Sequence, residues 1–325
     1  MRSGKSGVFL SNDPRKDIIE VKNKVYSIRS LSNTSSKSKG GNSSVFIVHD
    51  ADENIDRVIK FSKYPRLPLL TPKEIRGLNT YDRTNYQFNR KRNARFDQEV
   101  EALKIAKAES FPNIVEFYNE GELKVGSNNF PYFIMEKAET DLKEFILSTT
   151  DLDSQSRIGI CIDIMRAVKQ LHGKTIFHRD IKPDNILLFT TNNTGIKRWK
   201  ISDLGLIHNG KREDVLDEVG EKIGPYGWLS PEAMNKHLTE KTDLLHDCII
   251  DEFSDVFQLG KVFWFIFQGN VPIGQINLED FHLDFNEKVY LFRVIKGMLE
   301  YNKARRTKIS QLEEELDLLA HEFGV

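Results

Sequence analysis

The chain has 325 residues, 39% of them hydrophobic and 29% charged, so it can bury a core and is globular material rather than a disordered or fibrous chain. Forty-seven Lys plus Arg against 48 Asp plus Glu leave a net charge of -1, which removes any argument from global charge for a nucleic-acid or membrane partner. Cys161 and Cys248 are too few for a disulfide framework and lack metal-ligand spacing, and both read as buried free thiols in a reducing cytosol. The longest apolar run, 262–267, is far short of the roughly 20 residues that a bilayer span needs. Val8-Phe9-Leu10 is too short for a signal peptide, so a cytoplasmic protein with no membrane partner is expected.

Residues 1–20 are polar and read as a flexible N-terminal segment. Alternating runs at 24–28, 45–48 and 58–61, joined by turn-rich stretches, predict three antiparallel strands. The stretch 62–95 is strongly basic and is broken early by Pro65, Pro68 and Pro72, so it reads as an insertion. Phe96, Val100 and Leu103 then lie on one face of a helix whose other faces carry Asp97, Glu99, Glu101 and Lys104. Two more strands are expected at 114–115 and 132–135. Beyond them helical periodicity dominates, most clearly at 151–171, 256–267 and 309–319. The pattern predicts an α+β chain, with a small sheet-rich lobe over 21–136 followed by a larger helical lobe over 137–325.

The most informative stretch is His178-Arg179-Asp180-Ile181-Lys182-Pro183-Asp184-Asn185, followed by Ile186-Leu187-Leu188. It resembles the catalytic loop of protein kinases at every named position. Phosphoryl transfer needs a carboxylate at the attacking hydroxyl and an amide oxygen holding Mg²⁺, roles the resemblance gives to Asp180 and Asn185. Lys182 would steady the transferred phosphate and marks the Ser/Thr class. Ile201-Ser202-Asp203-Leu204-Gly205 resembles the family's Asp-Phe-Gly motif with Leu for Phe, so Asp203 would bind the phosphate-bridging Mg²⁺, with Mn²⁺ as a substitute.

In the first lobe, Arg57-Val58-Ile59-Lys60 resembles the Val-Ala-Ile-Lys strand, and Lys60 would pair with the ATP phosphates and with Glu99. The glycine-rich loop aligns with Ser38-Lys39-Gly40-Gly41-Asn42-Ser43-Ser44-Val45, where the central Gly40 stands and serines replace the outer glycines. Ser38, Gly40, Gly41 and Val45 are its expected nucleotide-binding positions. Met135-Glu136-Lys137 would be the gatekeeper and hinge, whose backbone would hold adenine, with Met135, Glu136 and Ala138 as the expected nucleotide-binding positions. Gly224-Pro225-Tyr226-Gly227-Trp228-Leu229-Ser230-Pro231-Glu232 resembles the close of a kinase activation segment, although Pro225 stands where the family has a threonine. Glu232 would form a buried ion pair with Arg306, and Asp255 would brace the catalytic loop.

The motifs run in the family's order from Ser38 to Arg306, which implies a bilobal protein-kinase-like fold and an ATP-dependent protein Ser/Thr kinase of the eukaryotic-like, Hanks type. From Asp203 to Gly224 there is no Ser, Thr or Tyr, so no phosphate switch can be installed there. The segment carries Glu213, Asp214, Asp217, Glu218 and Glu221 instead. Glu221, or a neighbouring acid, is therefore expected to pair with Arg179 and to make the segment independent of phosphorylation. Arg90-Lys91-Arg92 and Arg95 beside Tyr81, Tyr86 and Phe88 raise an acidic partner or a nucleic acid at the 62–95 insertion, against the alternative of a solvated helix extension. No sensor or targeting domain is recognised, so regulation is expected from the insertion, the tail or a partner. A nucleotide-binding pseudokinase and a small-molecule phosphotransferase of related fold are the competing readings.

Overall fold

The computed structural model describes residues 1–4, 7–11, 13, 15, 17–21, 24–31, 42–190, 195–209, 216–283 and 287–323. The chain forms two compact units, one of residues 1–107 and 115–137, the other of residues 108–114 and 138–325. Among the described residues no helix is long and apolar enough to cross a membrane.

The first unit opens with a hairpin of β1 (Arg2–Gly4) and β2 (Gly7–Phe9). Its main sheet is six-stranded and antiparallel, built from β3 (Ile18–Val21), β4 (Lys24–Ser30), β5 (Ser43–Asp50), β6 (Ile55–Ser62), β7 (Phe117–Val125) and β8 (Asn128–Glu136), in the order β3-β4-β5-β6-β8-β7. Alternate residues of a strand share a face, and Val58, Lys60 and Ser62 of β6 are one such row. The other face carries Ile59 and Phe61, both fully buried in a core with Val48, Phe130 and Ile134. The N-terminal segment expected to be flexible is instead packed where it is described. Val8 has no exposed surface and joins that core, while the Asp17 carboxylate accepts from the Ser11 backbone N–H at 2.7 Å.

The predicted strand at 114–115 is a single bridge from Ile114 to Ile201, and the true strand begins at Phe117. The insertion is not separate from the helix after it. A short α1 (Pro72–Gly77) is followed by α2 (Thr80–Ala108), one continuous helix of 29 residues whose first turns belong to the basic stretch.

The second unit is mainly helical, with α3 (Leu142–Ser148), α4 (Ser154–His172), α5 (Pro231–Thr239), α6 (Glu252–Gln268), α7 (Lys288–Met298) and α8 (Ile309–Phe323). Its strands are β9 (Thr140–Asp141), β10 (Ile176–Phe177), β11 (Ile186–Thr190), β12 (Lys197–Ile201) and β13 (His208–Asn209). They pair as β12-β11-β9 and β10-β13. Asp153 caps α4 by accepting from Ser156 N. In α6, Asp251 and Ser254 form a reciprocal capping box, and the helix stops at Gly269, whose φ of 70° is the left-handed conformation favoured at such ends. Apolar residues surround α6, so it is a core element rather than an amphipathic surface helix. Gly260 lets α7 approach closely, since a Cβ there would lie 2.8 Å from Met298 Cβ. Cys161 is buried but Cys248, expected to be buried too, is half-exposed because it lies in the irregular stretch before α6.

Candidate active site

In the first unit Lys60 sits opposite Val45 on one side and Phe133 on the other in the sheet register. Its ammonium donates to Glu99 Oε1 at 2.7 Å and lies 5.7 Å from the Phe133 ring centre. The two side chains are 9% and 4% exposed, so this is a buried, charge-assisted pair and not a surface bridge of negligible worth. Met135 pairs with Val58 and Glu136 with Arg57 at the end of β8. The Glu136 N–H donates to Glu116 O at 3.0 Å and its carboxylate takes the Glu116 N–H at 2.7 Å, which fixes the strand where the first unit ends. Ala138 is the first residue of the second unit after that strand. Ser38, Gly40 and Gly41 of the expected phosphate loop lie outside the described residues.

In the second unit the loop from His178 to Asn185 folds around one carboxylate. Asp180 Oδ2 accepts from Lys182 Nζ at 2.7 Å and from Asn185 Nδ2 at 3.0 Å. The same Asn185 amide also donates to the Asp180 carbonyl at 2.9 Å. Asp180 Oδ1 is buried and has no hydrogen-bond partner among the described residues, a costly state for a charged oxygen unless a donor arrives from outside. Burial pushes the Asp180 pKa up, and the nearby Asp203 charge adds to this while Lys182 opposes it.

His178 ties this loop to the strand end that carries Asp203. Its Nδ1 accepts the Asp180 N–H at 3.2 Å, so Nε2 carries the proton and donates to Ser202 O at 3.1 Å. Ser202 in turn donates from its backbone N and from Oγ to Asn185 O, at 2.9 and 3.1 Å. Asp203 follows with a φ of 58°, a region an aspartate tolerates better than most residues and one that accumulates at functional turns.

Asp255 has no exposed surface and accepts the His178 N–H at 2.8 Å, the Arg179 N–H at 2.7 Å and His172 Nε2 at 2.9 Å. Three donors on one buried carboxylate hold the loop while Arg179 adopts a φ of 65°. One turn further along α6, Gln258 takes the Ile181 N–H at 2.8 Å and donates to Arg179 O at 3.0 Å. Sequence reasoning missed Gln258 and His172. The available signal was that Gln258 follows Asp255 at the i,i+3 spacing that puts two side chains on one helix face.

The Arg179 guanidinium runs into the segment after Asp203. It donates through Nε to Leu206 O at 2.7 Å and through Nη2 to Ile207 O at 3.3 Å, and it forks onto the Asp217 carboxylate, with Nη2 3.2 Å from Oδ1. The acid on Arg179 is therefore Asp217. Glu221 accepts the Glu218 N–H at 3.0 Å instead and does not pair with Arg179. Glu213 and Asp214 lie outside the described residues. Further on, Gly224 has a φ of 93° and passes so close to the loop that a Cβ would lie 3.2 Å from Arg179 O. His237 of α5 meets the Gly220 carbonyl through Nδ1 at 3.4 Å and the Tyr226 hydroxyl through Nε2 at 3.1 Å, and Lys261 donates to Gly227 O at 3.0 Å.

Glu232 and Arg306 meet as expected. Arg306 Nη1 donates to Oε1 at 2.7 Å and Nη2 to Oε2 at 3.2 Å, with Ser254 Oγ also on Oε1 at 2.7 Å. Burial alone would raise the Glu232 pKa, but the Arg306 bonds and charge outweigh it and hold the carboxyl below the usual glutamate range.

A family model described as "Protein kinase domain" matches residues 82–322. The match starts inside α2, so Lys60 lies before it. Among curated proteins the chain is similar to "Serine/threonine-protein kinase PrkC" of Bacillus subtilis, 30% identical over 55% of this chain and 24% of the relative. It is also similar to "Serine/threonine-protein kinase PknB" of Mycobacterium leprae, 29% identical over 51% of this chain and 24% of the relative. A third relative, "Sensor for unfolded proteins in the ER ire1" of Schizosaccharomyces pombe, is 28% identical over 52% of this chain and 17% of the relative. The chain thus spans less than a quarter of the length of these relatives.

Proposed function

Because the chain belongs to the protein kinase family, within its Hanks-type Ser/Thr branch, we propose that it transfers the γ-phosphate of ATP to Ser or Thr hydroxyls of protein substrates. The observation that carries this reading is Asp180, a buried carboxylate with one oxygen tied to Lys182 and Asn185 and the other without a donor. A substrate hydroxyl is the donor that would satisfy Oδ1, and a raised pKa makes Asp180 a better acceptor for the proton that leaves as the oxygen attacks. Lys182 stands beside it as the cation that meets the charge building on the transferred phosphoryl group. Lys60, oriented by Glu99, is the cation offered to the phosphates of ATP.

The residues present fit a magnesium ion. Asn185 commits its Nδ2 to Asp180, which turns the amide so that Oδ1 is left as a neutral oxygen ligand, and Asp203 supplies an exposed carboxylate from the neighbouring strand end. One carboxylate and one amide oxygen, completed by phosphate oxygens and water, suit a cation that keeps much of its hydration. When bound, the ion would neutralise phosphate charge. Mn²⁺ would take the same ligands.

The Arg179–Asp217 fork supports the further reading that the activation segment holds its place without phosphorylation, since a carboxylate already occupies the arginine. An acidic partner or nucleic acid at 62–95 draws less support: Tyr86 is buried, and of the two exposed aromatics, Tyr81 and Phe88, the latter already lies against Tyr64 and under Arg92. A cytoplasmic setting belongs to the same proposal and rests on two free thiols, one of them half-exposed.

The test is phosphate transfer from labelled ATP with Mg²⁺, to the protein itself and to a generic basic protein, beside Asp180→Ala and Asp203→Asn. Label on Ser or Thr that vanishes in both variants is expected. A folded wild type that binds ATP and transfers nothing would overturn the reading in favour of a binding module.

A further inference from the structure

Between Ser62, the last residue of β6, and α1 the chain runs along the flank of α2 and is bonded to it at successive turns. Asn93, 5% exposed, bonds the segment at two points, with Nδ2 donating to Pro65 O at 3.0 Å and Oδ1 accepting from Ser62 Oγ at 3.3 Å, while Nδ2 also donates to Asn89 Oδ1 of its own helix at 2.9 Å. Two turns earlier the Tyr86 hydroxyl, on a 7% exposed side chain, accepts the Leu70 N–H at 3.0 Å and donates to Pro68 O at 3.3 Å. One turn later Arg66 forks onto Asp97, with Nη1 2.7 Å from Oδ2, and its Nε reaches Glu122 at 3.2 Å. The segment is itself tied to the sheet through Lys63 N to Asn42 O at 3.0 Å and Arg66 N to Asn129 O at 2.7 Å.

Tyr86, Asn89, Asn93 and Asp97 follow one another at helical spacing and form a single stripe on α2. Glu99 is on a different face, about 240° around the helix from Asn93 at roughly 100° per residue. The helix cannot rotate or slide to take Glu99 away from Lys60 without breaking the stripe's bonds. Buried polar groups such as the Asn93 amide make those bonds costly to abandon, because each would be left without a partner.

We propose that residues 62–71 are a built-in brace whose bonds to Tyr86, Asn93 and Asp97 hold α2 in the rotation that keeps Glu99 on Lys60, and that Tyr86, Asn93 and Arg66 are positioning residues for the nucleotide-facing lysine. The basic insertion is in this account an internal support for the Lys60–Glu99 pair. The proposal rests on the kinase reading for its activity readout but not for its structural one.

The experiment uses the full chain with Tyr86→Phe, which deletes the hydroxyl's bonds to Leu70 and Pro68 together with its contact to Arg90 at little change in volume, and Asn93→Ala, each alone and combined with Glu99→Gln. A fall of about 10-fold in kcat/KM for ATP is expected from each single brace variant, the scale on which misplacing a catalytic group is felt. No further fall is expected once Glu99→Gln is already present, because the brace acts through Glu99. Amide exchange is read in parallel, and faster exchange confined to residues 86–103 is expected in Tyr86→Phe. Full activity in both single variants, an equal fold loss in the Glu99→Gln background, or unchanged exchange along α2 would each overturn the brace. If the wild type transfers no phosphate at all, the kinase reading fails while the exchange experiment still decides the brace.

Discussion

Gln258 clasps the backbone on both sides of Asp180, donating from Nε2 to Arg179 O at 3.0 Å and accepting the Ile181 N–H on Oε1 at 2.8 Å. A primary amide can do both at once, and its position on the largely buried α6 transmits that helix's rigidity to the carboxylate. Replacing Gln258 with Leu keeps the bulk and leaves the two backbone groups unpaired. The expected result is a fall of about 10- to 100-fold in kcat with little change in KM for ATP, the sign of a misplaced reacting group rather than weakened binding. Steady-state kinetics on purified Gln258→Leu would check it.

The Arg179–Asp217 fork separates two acids that composition alone cannot. Asp217→Ala should cost activity by about 10-fold or more, because it leaves a nearly buried guanidinium without its countercharge. Glu221→Ala should keep activity within about twofold of wild type, since that carboxylate serves a local turn through Glu218 N. Both are measured on protein treated with phosphatase. The reverse ranking of the two variants would refute the assignment.

The raised pKa of Asp180 has a kinetic consequence. The group must be ionised to take a proton, so activity should fall as pH drops through a value above the ordinary aspartate range, and the acid limb of the kcat profile reports it. Burial is the main cause and the Asp203 charge the second raising influence, so Asp203→Asn, which should transfer no phosphate, should lower the Asp180 pKa as read from its carboxyl NMR titration. A carboxyl titration unchanged between the two proteins would remove Asp203 as a contributor.

Glu232 runs the other way. Its folded-state pKa is depressed, so the pair with Arg306 contributes its full stability above the ordinary glutamate range and loses it as pH falls through the depressed folded value. Glu232→Gln leaves Arg306, whose side chain has no exposed surface, without a countercharge and should cost about 3–5 kcal/mol at neutral pH. The gap in Tm between wild type and variant should narrow in acid, where the wild-type carboxyl is protonated as well. Thermal unfolding across pH 3–7, in roughly half-unit steps, measures this.

The 178–185 loop, Asp203, Lys60 with Glu99, Asp255 and the Glu232–Arg306 pair could all be singled out in the sequence, because the residue types the kinase resemblance asks for stand at local spacings that survive in linear order. Strands β4, β5, β6 and β8 were legible for a related reason, since alternation along a strand is a property of neighbours in sequence, whereas β1, β2, β3 and β7 were not. What escaped were features with no local signature. Residues 62–95 carry the prolines and charges of a solvated insertion, yet Asn93 and Tyr86 turn it inward through bonds to backbone carbonyls that any sequence could offer.

Sequence by itself therefore placed the chain among the protein kinases and singled out the side chains proposed to carry the chemistry, since those identities are needed wherever the backbone goes. Tertiary structure alone decided which of several equivalent groups does the holding: Asp217 rather than Glu221 on Arg179, Gln258 across Asp180, and the 62–71 segment along α2. Those choices depend on the path of the backbone in three dimensions, because a hydrogen bond is won by the donor within about 3 Å and not by the one nearest along the chain.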